Sequence, residues 1–466
     1  MIHMSEIFQN CNYFGTNGVR GRLDFFTPVL ACRLADAFAR YITGKGAGKR
    51  IVLGRDHRTT SELISTAVGS GLLANGMQVV DCGLSPSPLI EYFAGKHKFS
   101  GGMIVTASHN PPEWNAIKFL EGALPVSKER GIHIEKLMNT QADYANAGSG
   151  EYQIYNALPE YLHDAMNALD IGAIRKRKFK VVLDCGNGTG NLIAPLLLRE
   201  LGAEVVAINS HIDGHFPGRM SEPTQQNIEG CIGVAKAVGA DIGIALDGDC
   251  DRLALVDENG NYVIGDKVLG LGVGYALASK KRTGGKFAPK VVTTVATSDI
   301  IREIAERHGA SVVHTKVGAP YIAEAMVETN AISGGEEVGG VIWPSFSLAK
   351  DGFFTFAKIM EMLATGDLAL SEAVSQLPAR YATKLKLNCP PEQKGALIGK
   401  LKKYAADSHL KFNDIDGLRI EQKEGWCIVR ESGTENLVRI FAESKSKQAS
   451  EKIASEMKKV VERILG

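Results

Sequence analysis

Paired cysteines are missing from this chain. Its eight cysteines stand singly at positions 11, 32, 82, 185, 231, 250, 389 and 427. Neither a CxxC zinc site nor a disulfide frame is expected, and reduced thiols, several of them buried in cores, are. An excess of one charge is missing too. Lys and Arg number 53 against 52 Asp and Glu, which leaves no net field to gather nucleic acid or an anionic membrane surface. Long apolar runs are also absent: the longest, Val268 to Ala278, is glycine-rich and too short to span a bilayer. No basic segment followed by an apolar one opens the chain, so no signal peptide is expected. These absences predict a cytoplasmic protein without nucleic-acid or membrane partners; a monomer or a homodimer is expected, and the sequence does not choose between them. With 466 residues, 44% hydrophobic and 23% charged, the chain is too long for one core, and two to four domains are expected.

What the chain does have is a strand–loop–helix unit, used three times. Ile51 to Gly54 reads as a strand running into Arg55-Asp56-His57-Arg58, with a helix from about Ser61 to Ala74. Phe179 to Leu183 runs into Asp184-Cys185-Gly186-Asn187-Gly188-Thr189-Gly190 and a helix from Leu192 to Leu201. Lys290 to Val295 runs into Ala296-Thr297-Ser298-Asp299 and a helix to about His308. Each opening strand has a later partner with its own polar tip: Met103 to Val105 into TASHN, Ile242 to Leu246 into DGDCDR, and Ala331-Ile332 into SGGEEVGG. The repetition predicts three related mixed-sheet α/β domains. From Lys384 the rhythm changes. Strands over Lys384 to Cys389, Leu418 to Gln422, Trp426 to Arg430 and Val438 to Glu443, with helices over Gln393 to Ala406 and Ser446 to Leu465, predict a smaller α+β domain with an antiparallel sheet. The expected boundaries are 1–156, 157–258, 259–374 and 375–466.

The polar tips carry the chemistry. In Met103 to Phe119, MIVTASHNPPEWNAIKF, an apolar strand ends in Ser108 and His109, and Pro111-Pro112 continue neither ladder nor helix. Ser108 is thereby presented at a strand tip, where ligands of open α/β sheets sit. His109 and Lys118 are at hand to handle protons. A plain Asn-Pro turn with an incidental Ser-His pair remains the alternative for this segment alone. In Asp247-Gly248-Asp249-Cys250-Asp251-Arg252 the carboxylates at i, i+2 and i+4 can fold over one hard cation. A calcium loop of the EF-hand type fails, because Arg252 stands where that loop needs glycine and the flanks read as strands. Mg²⁺ is the expected occupant. Phe14 to Gly21, FGTNGVRG, sets Arg20 among glycines that permit tight turning. Glu336 and Glu337 stand on a glycine-flanked tip suited to sugar hydroxyls, with an ordinary surface turn as the alternative. Arg430, Ser432, Gly433 and Thr434, with Arg439, offer guanidinium groups, hydroxyls and a glycine backbone to an anion, the alternative being a plain polar turn between two strands.

FGTNGVRG, TASHNPPEWNAIK, DGDCDR, GGEEVGG and RESGTENLVRIFAE, in this order, resemble the α-D-phosphohexomutase superfamily, along essentially the whole chain. The resemblance implies four domains arranged around a central cleft. It implies movement of a phosphoryl group between O1 and O6 of a hexose through a hexose 1,6-bisphosphate. Ser108 is then the phosphoserine, and one Mg²⁺ is held by its phosphate with Asp247, Asp249 and Asp251. Arg20, His109 and Lys118 assist proton transfer and charge stabilisation, with Arg252 beside the metal loop. Lys316 and Glu336 contact the sugar, and Arg430, Ser432, Gly433, Thr434 and Arg439 grip the phosphate not being transferred. The chain also departs from the pattern. Val338 and Gly340 stand where phosphomannomutase/phosphoglucomutase members carry Ser and His, as in archaeal-type phosphoglucosamine mutase-like members. Glu431 and Asn436 replace the usual proline, and Ala116 a common glycine. The expected activity is that of a phosphoglucosamine mutase with broad sugar tolerance. The alternatives are a phosphomannomutase/phosphoglucomutase, a non-catalytic sugar-phosphate-binding homologue, and a slow phosphoserine hydrolase.

Overall fold

The computed structural model describes residues 13–140, 148–282, 288–431 and 436–465. Four sheets organise it. In the second, the strands lie in the order Glu204–Ile208, Lys180–Asp184, Ile242–Leu246, Leu253–Asp257, Tyr262–Val263. The third repeats this arrangement with Ser311–Thr315, Lys290–Thr294, Ser333–Glu336, Gly340–Trp343 and Ser347–Lys350. In both, the first three strands in sequence are parallel and the last two return antiparallel. The larger first sheet contains the same order in Gln78–Leu84, Arg50–Arg55, Gly101–Val105 and Trp114–Glu121, with Leu124–Pro125 paired on the last. To this it adds Gly18–Arg22 and Phe14–Gly15 on one side and Glu151–Ile154 on the other. The fourth sheet is antiparallel throughout, Tyr381–Asn388, Leu437–Ser444, Gly425–Glu431, Leu418–Gln422, Phe412–Asn413, with helices Pro391–Asp407 and Lys447–Leu465. Three mixed-sheet α/β units and a smaller α+β unit are what the strand rhythm predicts.

The equivalent hairpin in each α/β unit, Gly101–Val105 to Trp114–Glu121, Ile242–Leu246 to Leu253–Asp257, and Ser333–Glu336 to Gly340–Trp343, carries a chemical tip: Ser108, the DGDCDR loop, or Glu336. One local rule therefore aims three loops in corresponding directions. The units share apolar packing. Val52, Leu89 and Tyr92 of the first, Leu183 and Ile244 of the second, and Val291, Trp343 and Phe353 of the third belong to one buried cluster. Burying each such side chain contributes about 1.5–3 kcal/mol. Phe346 stacks on Phe354 at 4.2 Å and on Tyr92 at 5.0 Å between ring centres. The C-terminal unit has its own core around Leu397, Leu401, Ile420, Val429 and Ile453. It meets the third through a smaller patch of Val295, Ala296, Trp426 and Ile428.

Two elements differ from the sequence expectation. The strand expected at Ala331-Ile332 runs instead over Ser333–Glu336, so the first half of the glycine tip is itself sheet. A Cβ at Gly335 would stand 2.1 Å from the Gly340 carbonyl oxygen. The tight pairing with Gly340–Trp343 thus requires the glycines that hide the strand. Helix Ser87–Lys96, begun by prolines, had no counterpart in the sequence reading.

Candidate active site

Ser108 follows the strand Gly101–Val105 and sits, buried, at φ +50°. A serine in the left-handed region is uncommon and persists only where its surroundings hold it. Its N–H donates to Thr106 Oγ1 at 2.9 Å. Its hydroxyl donates to Asp247 Oδ2 at 2.8 Å, and His109 Nδ1 lies 3.4 Å from Oγ. The metal loop approaches from the other side so closely that a Cβ at Gly248 would stand 2.9 Å from the Ser108 carbonyl oxygen. A glycine there lets the two loops meet.

Asp247, Asp249 and Asp251 are buried, and each offers a carboxylate oxygen within 4.8 Å of the others'. Burial pushes Asp247 well above the usual carboxylate range, and the charges of Asp249 and Asp251 add to it. Burial opposes the charge on Asp251 as well, but Lys350, Lys118 and Arg252 outweigh it and hold its carboxyl below the usual range. Asp249 Oδ2 accepts from Lys118 Nζ at 2.6 Å and from Ser87 Oγ at 2.5 Å. Asp251 Oδ2 lies 3.4 Å from Lys118 Nζ and 3.2 Å from Lys350 Nζ. The second oxygens, Asp249 Oδ1 and Asp251 Oδ1, are buried and accept no hydrogen bond among the described residues. Buried carboxylate oxygens that accept no hydrogen bond, clustered with a third carboxylate, fit a hard divalent cation such as Mg²⁺.

Cations surround this centre. Arg20 Nη1 donates to Asn110 Oδ1 at 2.7 Å, which ties it to the serine loop. Arg252 donates to Glu222 at 2.8 Å, and its backbone N–H to Asp247 Oδ1 at 3.1 Å. Burial and then the charges of Arg252 and Arg20 drive the His109 imidazole down to about 2, so it is neutral. Glu336, the last residue of its strand, is buried and accepts from Lys350 Nζ at 2.8 Å. Lys350 therefore bridges the DGDCDR loop and the Glu336 tip.

The remaining predicted residues lie toward the C-terminal unit. Arg430 and Arg439 are directly opposed in the antiparallel pair, so their side chains share one face. Arg430 Nη2 donates to Asp416 Oδ2 at 2.7 Å, and the same oxygen accepts from Val317 N–H at 2.9 Å. Lys316, next in the chain, is half-exposed and paired with Glu129 of the first unit at 2.8 Å. Ser432, Gly433 and Thr434 lie outside the described residues.

Comparison with known proteins decides the family. The phosphoglucomutase/phosphomannomutase models for α/β/α domain I match residues 11–145, for domain II 159–260, for domain III 264–381 and for the C-terminal domain 385–460. This chain belongs to the phosphoglucomutase/phosphomannomutase family. It is 41% identical to a phosphoglucomutase/phosphomannomutase of Thermococcus kodakarensis, over 93% of this chain and 95% of that protein. It is 34% identical to a probable phosphoglucosamine mutase of Methanopyrus kandleri, over 97% and 98%. A crystal structure of a phosphoglucomutase/phosphomannomutase family protein from Burkholderia thailandensis superposes with a TM-score of 0.86 at 27% identity, covering 97% of each chain.

Within this family the departures acquire a physical reading. A Cβ at Gly340 would stand 2.5 Å from Lys350 Cδ. The lysine stem fills the space that a side chain at position 340 would need, so Gly340 and Lys350 fit as a pair. Glu431 follows Arg430 in the strand and faces the opposite side of the sheet. Its carboxyl is raised by burial, with the charge of Lys394 pulling it back down. The face that carries Arg430 and Arg439 is thus spared its charge. Sequence reasoning missed Ser87 and Lys350 in the site, and Glu91, buried among Lys118, Asp251, Lys350 and Asp249. SPSPL and SLAKDG carry no local pattern that signals a ligand.

Proposed function

We propose that this chain is a phosphohexomutase that moves a phosphoryl group between O1 and O6 of a hexose phosphate, with Ser108 as the phosphoryl carrier. One observation carries the reading: the Ser108 hydroxyl, held on a left-handed backbone, touches a buried carboxylate triad with two oxygens that accept no hydrogen bond among the described residues. Asp247, Asp249 and Asp251, with the Ser108 phosphate, would hold Mg²⁺, which when bound neutralises phosphoryl oxygens. Phosphoryl transfer needs in-line positioning and charge stabilisation more than covalent help. Lys118 and Arg20 supply fixed positive charge around Ser108, and Arg252 supplies it beside the metal loop. His109 lies 3.4 Å from Oγ, and the negative charge of a phosphate on Ser108 would offset Arg252 and Arg20 and raise its basicity, so that it can take the proton of the incoming sugar hydroxyl. Glu336 receives sugar hydroxyls. Arg430 and Arg439, with Ser432, Gly433 and Thr434, grip the distal phosphate, and Lys316 contacts the sugar between them. The bisphosphorylated sugar turns over between half-reactions, so that the clamp holds each phosphate in turn.

The substrate class we favour is glucosamine phosphate, with mannose and glucose phosphates accepted. The name phosphoglucosamine mutase recurs among the relatives, and the tip loop carries glycine and valine in place of fixed polar groups. Supplying each hexose 1-phosphate with catalytic hexose 1,6-bisphosphate and Mg²⁺ should yield the 6-phosphate. No turnover with any of the three sugars would contradict the reading and leave a binding homologue.

A further inference from the structure

The loop that presents Ser108 is held from behind by one side chain that no part of the proposed chemistry uses. Arg58, in the loop between strand Arg50–Arg55 and helix Ser61–Leu73 of the same unit, has a fully buried side chain. Its guanidinium has five N–H donors, and five hydrogen bonds leave it. Nη2 donates to the carbonyls of Ser108 at 2.8 Å and Asn110 at 2.7 Å. Nη1 donates to those of Pro111 at 2.5 Å and Trp114 at 3.0 Å. Nε donates to Asp56 Oδ2 at 3.0 Å. Asp56 is fixed in turn, since its other oxygen accepts from the Arg58 N–H at 3.0 Å and from the Ser61 hydroxyl. The Phe216 ring of the second unit lies 5.0 Å from the guanidinium. The Ser108 carbonyl also accepts from Ser221 Oγ at 3.0 Å, and that hydroxyl accepts from Gly248 N–H of the metal loop at 2.9 Å.

We propose that Arg58 is a positioning residue for phosphoryl transfer, its five bonds setting the serine loop so that Ser108 faces a sugar hydroxyl, with Ser221 registering the loop against the metal centre. This rests on the reading of Ser108 as the phosphoryl carrier. The physical argument is geometric. Four carbonyl oxygens of one turn converge on one planar cation, and the turn contains a serine at φ +50° that would relax elsewhere if released. Lysine is no substitute, because an ammonium has three donors and no planar fork. In-line transfer is sensitive to displacement, and a shift of about 1 Å at the reacting group costs about a hundredfold. Attack by water makes no such demand, because water can approach from many directions.

The test compares two fates of one phosphoenzyme. Wild type, Arg58→Lys and Arg58→Gln are loaded at Ser108 with labelled hexose 1,6-bisphosphate. Loss of label is then followed in buffer and with hexose 6-phosphate. In the first case the Ser108 Oγ–P bond breaks and a water oxygen takes the phosphoryl group; in the second a sugar hydroxyl does. The ratio of the two rates does not depend on the folded fraction, so general destabilisation leaves it unchanged. The expected result is a fall in transfer to sugar of about a hundredfold with loss to water maintained or raised, in both variants. A ratio equal to that of the wild type overturns the proposal. If the arginine variants do not fold, Ser221→Ala carries the test: a several-fold lower ratio supports it, an unchanged one overturns it. Wild type that takes no label at Ser108 would instead contradict the carrier assignment itself, so the two failures are distinguishable.

Discussion

Asp249 shows how a residue in this site is bound to its neighbours. One oxygen is shared by Lys118 and Ser87 and the other accepts no hydrogen bond among the described residues, so it can serve a cation while staying anchored. Replacing Asp249 with Asn removes one anionic ligand from a hard-cation site. The rate at fixed Mg²⁺ should fall by about tenfold to a hundredfold, with partial recovery as Mg²⁺ is raised; an unchanged Mg²⁺ dependence would contradict the ligand assignment. Glu91 offers a pH experiment. Burial pushes its carboxyl up to about 8, with Lys118 and Lys350 opposing and Asp251 and Asp249 adding. Between its ordinary value and about 8 the native state holds a proton that the unfolded chain has released, so stability falls as pH rises through that window. Glu91→Gln cannot ionise and escapes this loss. In the presence of a chelator, the variant's Tm relative to wild type should rise from roughly pH 5 to roughly pH 8.5. A difference independent of pH would remove Glu91 from the charged cluster.

At the scale of elements, the site depends on a few junctions. Asp351 caps the helix Gly352–Gly366 by accepting from Phe354 N–H at 2.9 Å, and it accepts from the buried Tyr161 hydroxyl of the second unit at 2.6 Å. Asp351→Ala removes the cap and leaves that hydroxyl unpaired, at a combined cost of about 2–4 kcal/mol. Urea denaturation should show it as a lower midpoint; a loss under about 0.5 kcal/mol, the size of an ordinary surface change, would mean the junction is slack. Such junctions were the part least legible beforehand. The strands ending in TASHN and DGDCDR could be read because each is a continuous apolar run followed by its own chemistry. Ser333–Glu336 could not, because Gly334 and Gly335, which permit its close pairing, erase the strand signal. Lys350, Ser87 and Arg58 reach the site from other elements through tertiary packing, and nothing in their own neighbourhoods of sequence records the partner.

Across the whole molecule, three copies of one sheet order place Ser108, the DGDCDR loop and Glu336 at equivalent hairpins, and the C-terminal unit adds two opposed arginines. This division of labour predicts broad substrate use. With glycine at 340 and Lys350 engaged by Glu336 and Asp251, the site has few fixed groups that a C2 epimer or C2 amine would leave unpaired, and such mismatches carry the large penalties. The kcat/KM values for glucosamine, mannose and glucose phosphates should lie within roughly a hundredfold, about 2–3 kcal/mol. Preference for one sugar by about ten-thousandfold would place discrimination elsewhere. The central claim is that all four units serve one phosphoryl carrier, and mass spectrometry of Ser108 tests it most directly. Enzyme incubated with hexose 1,6-bisphosphate and Mg²⁺ should carry one phosphate on Ser108 and lose it to added hexose 6-phosphate, while Ser108→Ala should neither take phosphate nor turn over. An alanine variant that kept full activity, or a phosphate found on another residue and passed to the sugar from there, would contradict the account.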